Sequence, residues 1–128
     1  MKQRLHILVV DDEPSITSFP FWALRPLGHI VESVNDGEQA LSKITVDPSM
    51  DLVITDHSMP RMSGFELVRR LRGAGYQGKV IVLSAHLSQH NRTLYDVLGV
   101  EAMLPKPFDV AALRKTIDEL FQDLPATL

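Results

Sequence analysis

Cysteine is absent from the 128 residues. That absence excludes disulfides, thiolate metal sites and a cysteine nucleophile, and it fits a reducing compartment. Long apolar runs are also missing. The first, Leu5 to Val10, is too short to span a bilayer and stops at Asp11. It follows Met1-Lys2-Gln3-Arg4 without a cleavage site, so no targeting segment is expected and the expected location is the cytoplasm. There is no basic run. With 13 Lys and Arg against 16 Asp and Glu, the net charge is -3, which argues against direct nucleic-acid binding by this segment. Gly37, Gly64, Gly73, Gly75 and Gly78 do not make a phosphate-cradling loop and read as turns and helix ends. The five histidines lack metal-ligand spacing; His86 and His90 are four apart but have no evident third ligand, and surface or polar packing is the expected role. No repeat, internal linker or low-complexity stretch interrupts the chain. Its length fits one domain over residues 1–123, with 124–128 as a tail or the start of a linker.

What is present is a rhythm. Five short apolar runs recur: Leu5 to Val10, Ile30 to Val34, Leu52 to Thr55, Val80 to Leu83 and Ala102 to Leu104. Continuous Val, Ile and Leu without alternation suits strands buried on both faces, as in a parallel sheet. Segments of helical length separate them. Asp36 to Ile44 carries Ala40, Leu41 and Ile44 at helical spacing. Ser63 with Glu66 three places on predicts a capping box, followed by a buried stripe of Phe65, Val68 and Leu71 and an end near Gly73. Ser88 to Leu98 predicts a helix closed by Gly99. Asp109 predicts an N-cap before Val110, Leu113, Ile117, Leu120 and Phe121 on one face. Strand and helix alternate five times, which predicts a doubly wound parallel α/β domain. The first helical segment departs from the pattern, because Pro20 removes a backbone donor where the helix interior is expected. Phe19, Phe21 and Trp22 form an aromatic cluster there, with core packing as the default.

In open α/β sheets, ligands bind beyond the carboxyl ends of the strands. Those ends carry Asp11 and Asp12 after the first strand, Asp56 after the third, Ser84 after the fourth and Lys106 after the fifth. Each alone is ordinary: an acidic pair at a helix start, a turn hydroxyl, a surface lysine. Together they suit one reaction. Three close carboxylates repel one another unless a cation joins them. An all-oxygen set without His or Cys suits Mg²⁺ or Mn²⁺. Phosphoryl transfer is mainly positioning and charge stabilisation, which a lysine and a hydroxyl supply. Aspartate is a known type of phosphoryl acceptor.

Val9-Val10-Asp11-Asp12-Glu13-Pro14, Thr55-Asp56-His57-Ser58-Met59-Pro60, Leu83-Ser84-Ala85 and Lys106-Pro107-Phe108 resemble the response-regulator receiver domains of two-component signalling. Asn35-Asp36-Gly37-Glu38-Gln39-Ala40-Leu41 and Gly64-Phe65-Glu66-Leu67 resemble common receiver stretches too, so the likeness covers nearly the whole chain. The resemblance implies a flavodoxin-like five-stranded sheet in the order 2-1-3-4-5. It implies Asp56 as phosphoacceptor, with Asp12, Asp56 and the Ser58 backbone carbonyl ligating the metal and Asp11 acting largely through a metal-bound water. It makes Ser84 the switch hydroxyl and Lys106 the phosphate-binding cation, with a cis bond to Pro107. The donor would be a phosphohistidine on a sensor histidine kinase or a histidine phosphotransfer protein. Docking would use the first helix, where Ser15, Ile16 and Phe19 are the candidates. Such a domain is a phosphoprotein switch that assists its own phosphorylation and dephosphorylation, and is not a conventional enzyme.

Besides Pro20, two positions depart from the family. Met103 stands where relatives often carry the Phe or Tyr that turns inward with the switch hydroxyl. Methionine is flexible, so switching at that surface is expected to differ. Ala102 breaks the acidic pair common in relatives that dimerise on DNA; the oligomeric state is left open. Two rival functions remain. An aspartate-nucleophile phosphatase usually has an acid two residues after its nucleophile, and Ser58 stands there. A phosphorylation-independent interaction module would not need the intact site.

Overall fold

The computed structural model describes residues 4–12, 24, 26, 28–86 and 88–122. The aromatic and proline-bearing segment 13–23, with Ser15, Ile16, Phe19 and Pro20, lies outside them, as does the expected tail. Five strands form one parallel sheet: β1 (His6–Val10), β2 (Ile30–Val34), β3 (Leu52–Asp56), β4 (Lys79–Ser84) and β5 (Ala102–Pro105). Their order is β2-β1-β3-β4-β5, as the family resemblance implies. Four described helices alternate with them: α1 (Gly37–Val46), α2 (Gly64–Gly73), α3 (Gln89–Val97) and α4 (Val110–Leu120).

The sheet divides the core in two. Leu8, Val10, Val53, Val80 and Val82 point to one side, against Ala40 and Ile44 of α1, Val68 and Leu71 of α2 and Tyr95 of α3. Ile7, Val9, Ile54, Ile81 and Leu83 point to the other, against Leu113 and Ile117 of α4. Because successive side chains face opposite layers, both sets of positions must be apolar. All five residues of β3 are buried, and each large aliphatic side chain so buried contributes about 1.5–3 kcal/mol. The edge strands, each with a single neighbouring strand, are less buried. In β2 only Val31 is buried and Ile30 is 43% exposed, while β5 is half-buried.

Each described helix begins at a residue whose short oxygen-bearing side chain accepts an orphan backbone N–H. Asp36 accepts from Gln39, Ser63 from Glu66, Ser88 from Asn91 and Asp109 from Ala112, at 2.8–3.1 Å. Only the Ser63 half of the expected capping box forms. The Glu66 carboxylate instead accepts from Arg69 and Arg70 at 2.6–3.0 Å, and those bonds hold its pKa down to about 2. The α2 stripe is also shifted: Leu67, Val68 and Leu71 are buried and Phe65 is half-buried. In α4, Val110 lies at the exposed end of the face that Leu113 and Ile117 bury. Gly99 takes the left-handed backbone expected after α3, with φ 74°. Beyond α2 that conformation falls on Gly75, φ 93°, and not on Gly73.

Arg72 links α2 to the amino-terminal side of β4 and β5. Its guanidinium donates to the carbonyls of Leu98, Tyr76, Gly78 and Gly99, and approaches Glu101 at 3.4 Å. Glu101 in turn accepts from the Val80 N–H at 2.8 Å. One side chain thereby satisfies the chain reversals after α2 and after α3.

Candidate functional site

Parallel strands end together, so the polar residue after each apolar run arrives at the same edge. Asp11 follows β1 directly and its N–H donates to Val34 of β2. Asp56 ends β3, Ser84 ends β4 beside it, and Lys106 follows β5 with its N–H on the Ser84 carbonyl. Carboxylate oxygens of Asp11, Asp12 and Asp56 all lie within 4.8 Å of one another. Asp11 and Asp56 are buried and Asp12 is half-buried. The Lys106 ammonium stands 2.5 Å from Oδ1 of Asp56. The Lys106-Pro107 bond is cis.

This donor set fits a hard divalent cation. It is all oxygen, it converges from two strand ends, and two of its three carboxylates are withdrawn from the water that would otherwise screen them. The Ser84 hydroxyl donates to the His86 carbonyl at 2.8 Å and accepts from the His86 N–H at 3.1 Å, folding the β4–α3 loop into a turn. Beside that turn an open cleft of about 460 Å³ is lined by Ser84, Ala85, His86, Ser88, Arg92 and Pro105. Met103 is half-buried and packs on the same core layer as Tyr95. Ser15, Ile16 and Phe19 lie outside the described residues.

Two features near the site escaped sequence reasoning. Gly64, the first residue of α2, is buried, and its N–H donates to the His57 carbonyl at 2.9 Å. A Cβ there would overlap the Asp56 carbonyl oxygen and sit 3.0 Å from the His57 Cα. The helix start can therefore lie against the end of β3 only as glycine. The second is His57. Its Nδ1 lies 2.6 Å from the Tyr95 hydroxyl, although 38 residues separate the two in sequence. The nearest sequence signal for it was position alone, directly after Asp56.

A second group of potential ligands, His6, Glu32 and Asp47, gathers where β1 begins. Glu32 is already paired there with Lys43 and with His6 Nε2. The Lys43 bond is the main reason its carboxylate is held below the usual range. Among the described residues, no helix is long and apolar enough to cross a membrane.

The response regulator receiver domain model matches residues 7–118. The chain is 36% identical over 121 residues to a gliding motility regulatory protein of Myxococcus xanthus, covering 92% of this chain and 15% of that protein. It is 40% identical over 103 residues to the transcriptional regulatory protein CpxR of Escherichia coli, covering 80% of this chain and 43% of CpxR. The chain thus spans less than half the length of these relatives. Among solved structures, the chemotaxis protein CheY4 of Vibrio cholerae superimposes with a TM-score of 0.84 at 29% identity, covering 94% of this chain and 100% of CheY4.

Proposed function

This chain belongs to the response regulator receiver domain family of two-component signalling, and on that premise we propose that it accepts a phosphoryl group on Asp56 in a Mg²⁺-dependent reaction. The observation that carries the reading is the buried Asp56 carboxylate, 2.5 Å from the Lys106 ammonium and within 4.8 Å of Asp11 and Asp12.

In the proposed reaction, an Asp56 carboxylate oxygen attacks the phosphorus of a phosphohistidine. The phosphorus–nitrogen bond breaks as the new phosphorus–oxygen bond forms, and the imidazole leaves and takes a proton from solvent. Lys106 is 33% exposed, so its ammonium can turn from the carboxylate to the incoming phosphoryl oxygens without leaving the site. Ser84, at the end of the neighbouring strand, supplies a hydrogen bond to the same oxygens. Asp11, Asp12 and Asp56, with the Ser58 carbonyl, would hold Mg²⁺ or Mn²⁺. Bound there, such an ion neutralises charge on carboxylate and phosphoryl group alike. The donor is a sensor histidine kinase or histidine phosphotransfer protein, with Ser15, Ile16 and Phe19 as its docking residues. The output is a change of conformation, so the domain acts as a switch that assists its own phosphorylation and dephosphorylation.

The test is acetyl phosphate labelling with mass mapping. One phosphoryl group is expected on Asp56, dependent on Mg²⁺ or Mn²⁺ and absent from Asp56→Asn. A modification mapped elsewhere, or one indifferent to chelator, would refute the acceptor. No labelling and no binding of beryllofluoride would leave a phosphorylation-independent interaction module.

A further inference from the structure

Among the described residues, helix α3 is tied to the site through the β4–α3 loop and through His57, and only the first runs through the switch hydroxyl. The first tie is the β4–α3 loop. Ser84 folds it through His86, and Ser88 then caps the helix. The second is Tyr95, in the last turn of α3. Its side chain is wholly buried, packed edge-on against Phe65 of α2 at 5.8 Å and against His57 at 5.6 Å. A buried phenol needs a partner, and the one it reaches is Nδ1 of His57. Burial pushes the Tyr95 pKa up, so the hydroxyl stays protonated. Nε2 of His57 faces the side-chain amide of Asn91, one turn earlier on α3, at 3.4 Å.

His57 is a firm anchor. Its N–H donates to Leu83 of β4 and its carbonyl accepts from Gly64 of α2, both at 2.9 Å. The two ties must respond differently to a phosphoryl group. Ser84 has one O–H. It cannot keep its donor bond to the His86 carbonyl and also donate to a phosphoryl oxygen on Asp56. The loop tie is therefore exchangeable, whereas the anchor at His57 is fixed. Met103 has no hydrogen-bonding donor with which to hold α3 from β5.

We propose that the His57–Tyr95 hydrogen bond is a latch joining the acceptor strand to α3, and that it holds the domain in its unphosphorylated arrangement. The inference rests on the reading of Asp56 as acceptor. His57 and Tyr95 are positioning residues in it, since neither touches the phosphoryl group. A contact made in one of two arrangements shifts the population toward that arrangement by its own worth. Removing an ordinary hydrogen bond should therefore raise the reactive population about five-fold.

The experiment measures initial rates of acetyl phosphate labelling at fixed Mg²⁺ for wild type, Tyr95→Phe, His57→Leu, the double variant and His57→Asn. Either end of the latch removed should give labelling about five-fold faster. The double variant should be no faster than His57→Leu alone, because Tyr95→Phe then has no bond left to remove. His57→Asn keeps an acceptor close to the Nδ1 position and should return the rate toward wild type, which a merely structural role for the ring would not do. Amide exchange in 89–97 should rise in Tyr95→Phe and His57→Leu without a matching rise in β1 or β3. Unchanged or slower labelling in Tyr95→Phe, or additive effects in the double variant, would overturn the latch while leaving the acceptor intact. A wild-type protein that takes no phosphoryl group on Asp56 would remove the acceptor and the latch with it.

Discussion

Lys106 and Asp56 meet across the full width of β4. The ammonium belongs to the residue after β5, the carboxylate to the last residue of β3, and their charged atoms are 2.5 Å apart. Asp11 and Asp12 bring two more carboxylates within 4.8 Å of Asp56. Close carboxylates repel one another unless a cation joins them.

Neutralising one member should therefore stabilise the protein in chelator. For Asp12→Asn the expected gain is about 1 kcal/mol, well below the bare Coulomb value because Asp12 is half-exposed to solvent screening. Mg²⁺ at ten times its dissociation constant should stabilise wild type by about 1.4 kcal/mol and the variant by much less. Urea unfolding with EDTA and with Mg²⁺ measures both. A variant less stable than wild type in EDTA would show that repulsion does not dominate the cluster.

Gly64→Ala should damage the fold and the site together. The new methyl group would meet backbone atoms of Asp56 and His57, which cannot rotate away as a side chain end could. Overpacking of this kind costs about 1–3 kcal/mol. Thermal unfolding and the labelling rate of Asp56 should both fall. Gly73→Ala is the control, since nothing lies within 4 Å of a Cβ there.

Arg72→Lys should cost about 2–3 kcal/mol, although charge is conserved. A lysine has three donors on one atom and cannot reach carbonyls of Tyr76, Gly78, Leu98 and Gly99 at once. Chemical denaturation of the variant reads this directly. A loss within 0.5 kcal/mol of zero, roughly that of an ordinary surface change, would mean that water replaces the guanidinium.

Acid should weaken the attachment of β1 through His29. Its Nδ1 accepts the Leu5 N–H at 3.1 Å, and burial lowers its pKa against the attraction of Asp118. The neutral ring is therefore the form that the fold favours. Its contribution is present above the ordinary value of 6.5 and is lost as pH falls through that value toward the depressed folded one. His29→Gln keeps an amide oxygen as acceptor without titrating. Between pH 7.5 and 5.5, its stability should fall less than that of wild type. Parallel stability profiles would remove His29 from the acid response.

The sequence by itself determined whatever depends on neighbours along the chain. Continuous apolar runs marked the central strands because both faces are buried. Ser63 and Asp109 marked helix starts because a cap bonds only two or three residues ahead. The site was legible for a related reason: parallel strands end at one edge, so Asp11, Asp56, Ser84 and Lys106 could be assembled from strand ends alone. Tertiary structure decided the rest. Val31 alone is buried in β2 because an edge strand has one neighbour. Glu66 left its capping role because Arg69 and Arg70 offered stronger, charged donors. Gly64 against Asp56, the Arg72 hub and the bond from His57 to Tyr95 depend on how α2 and α3 lie on the sheet. Those positions are set by side-chain packing between layers, which no spacing along the chain encodes.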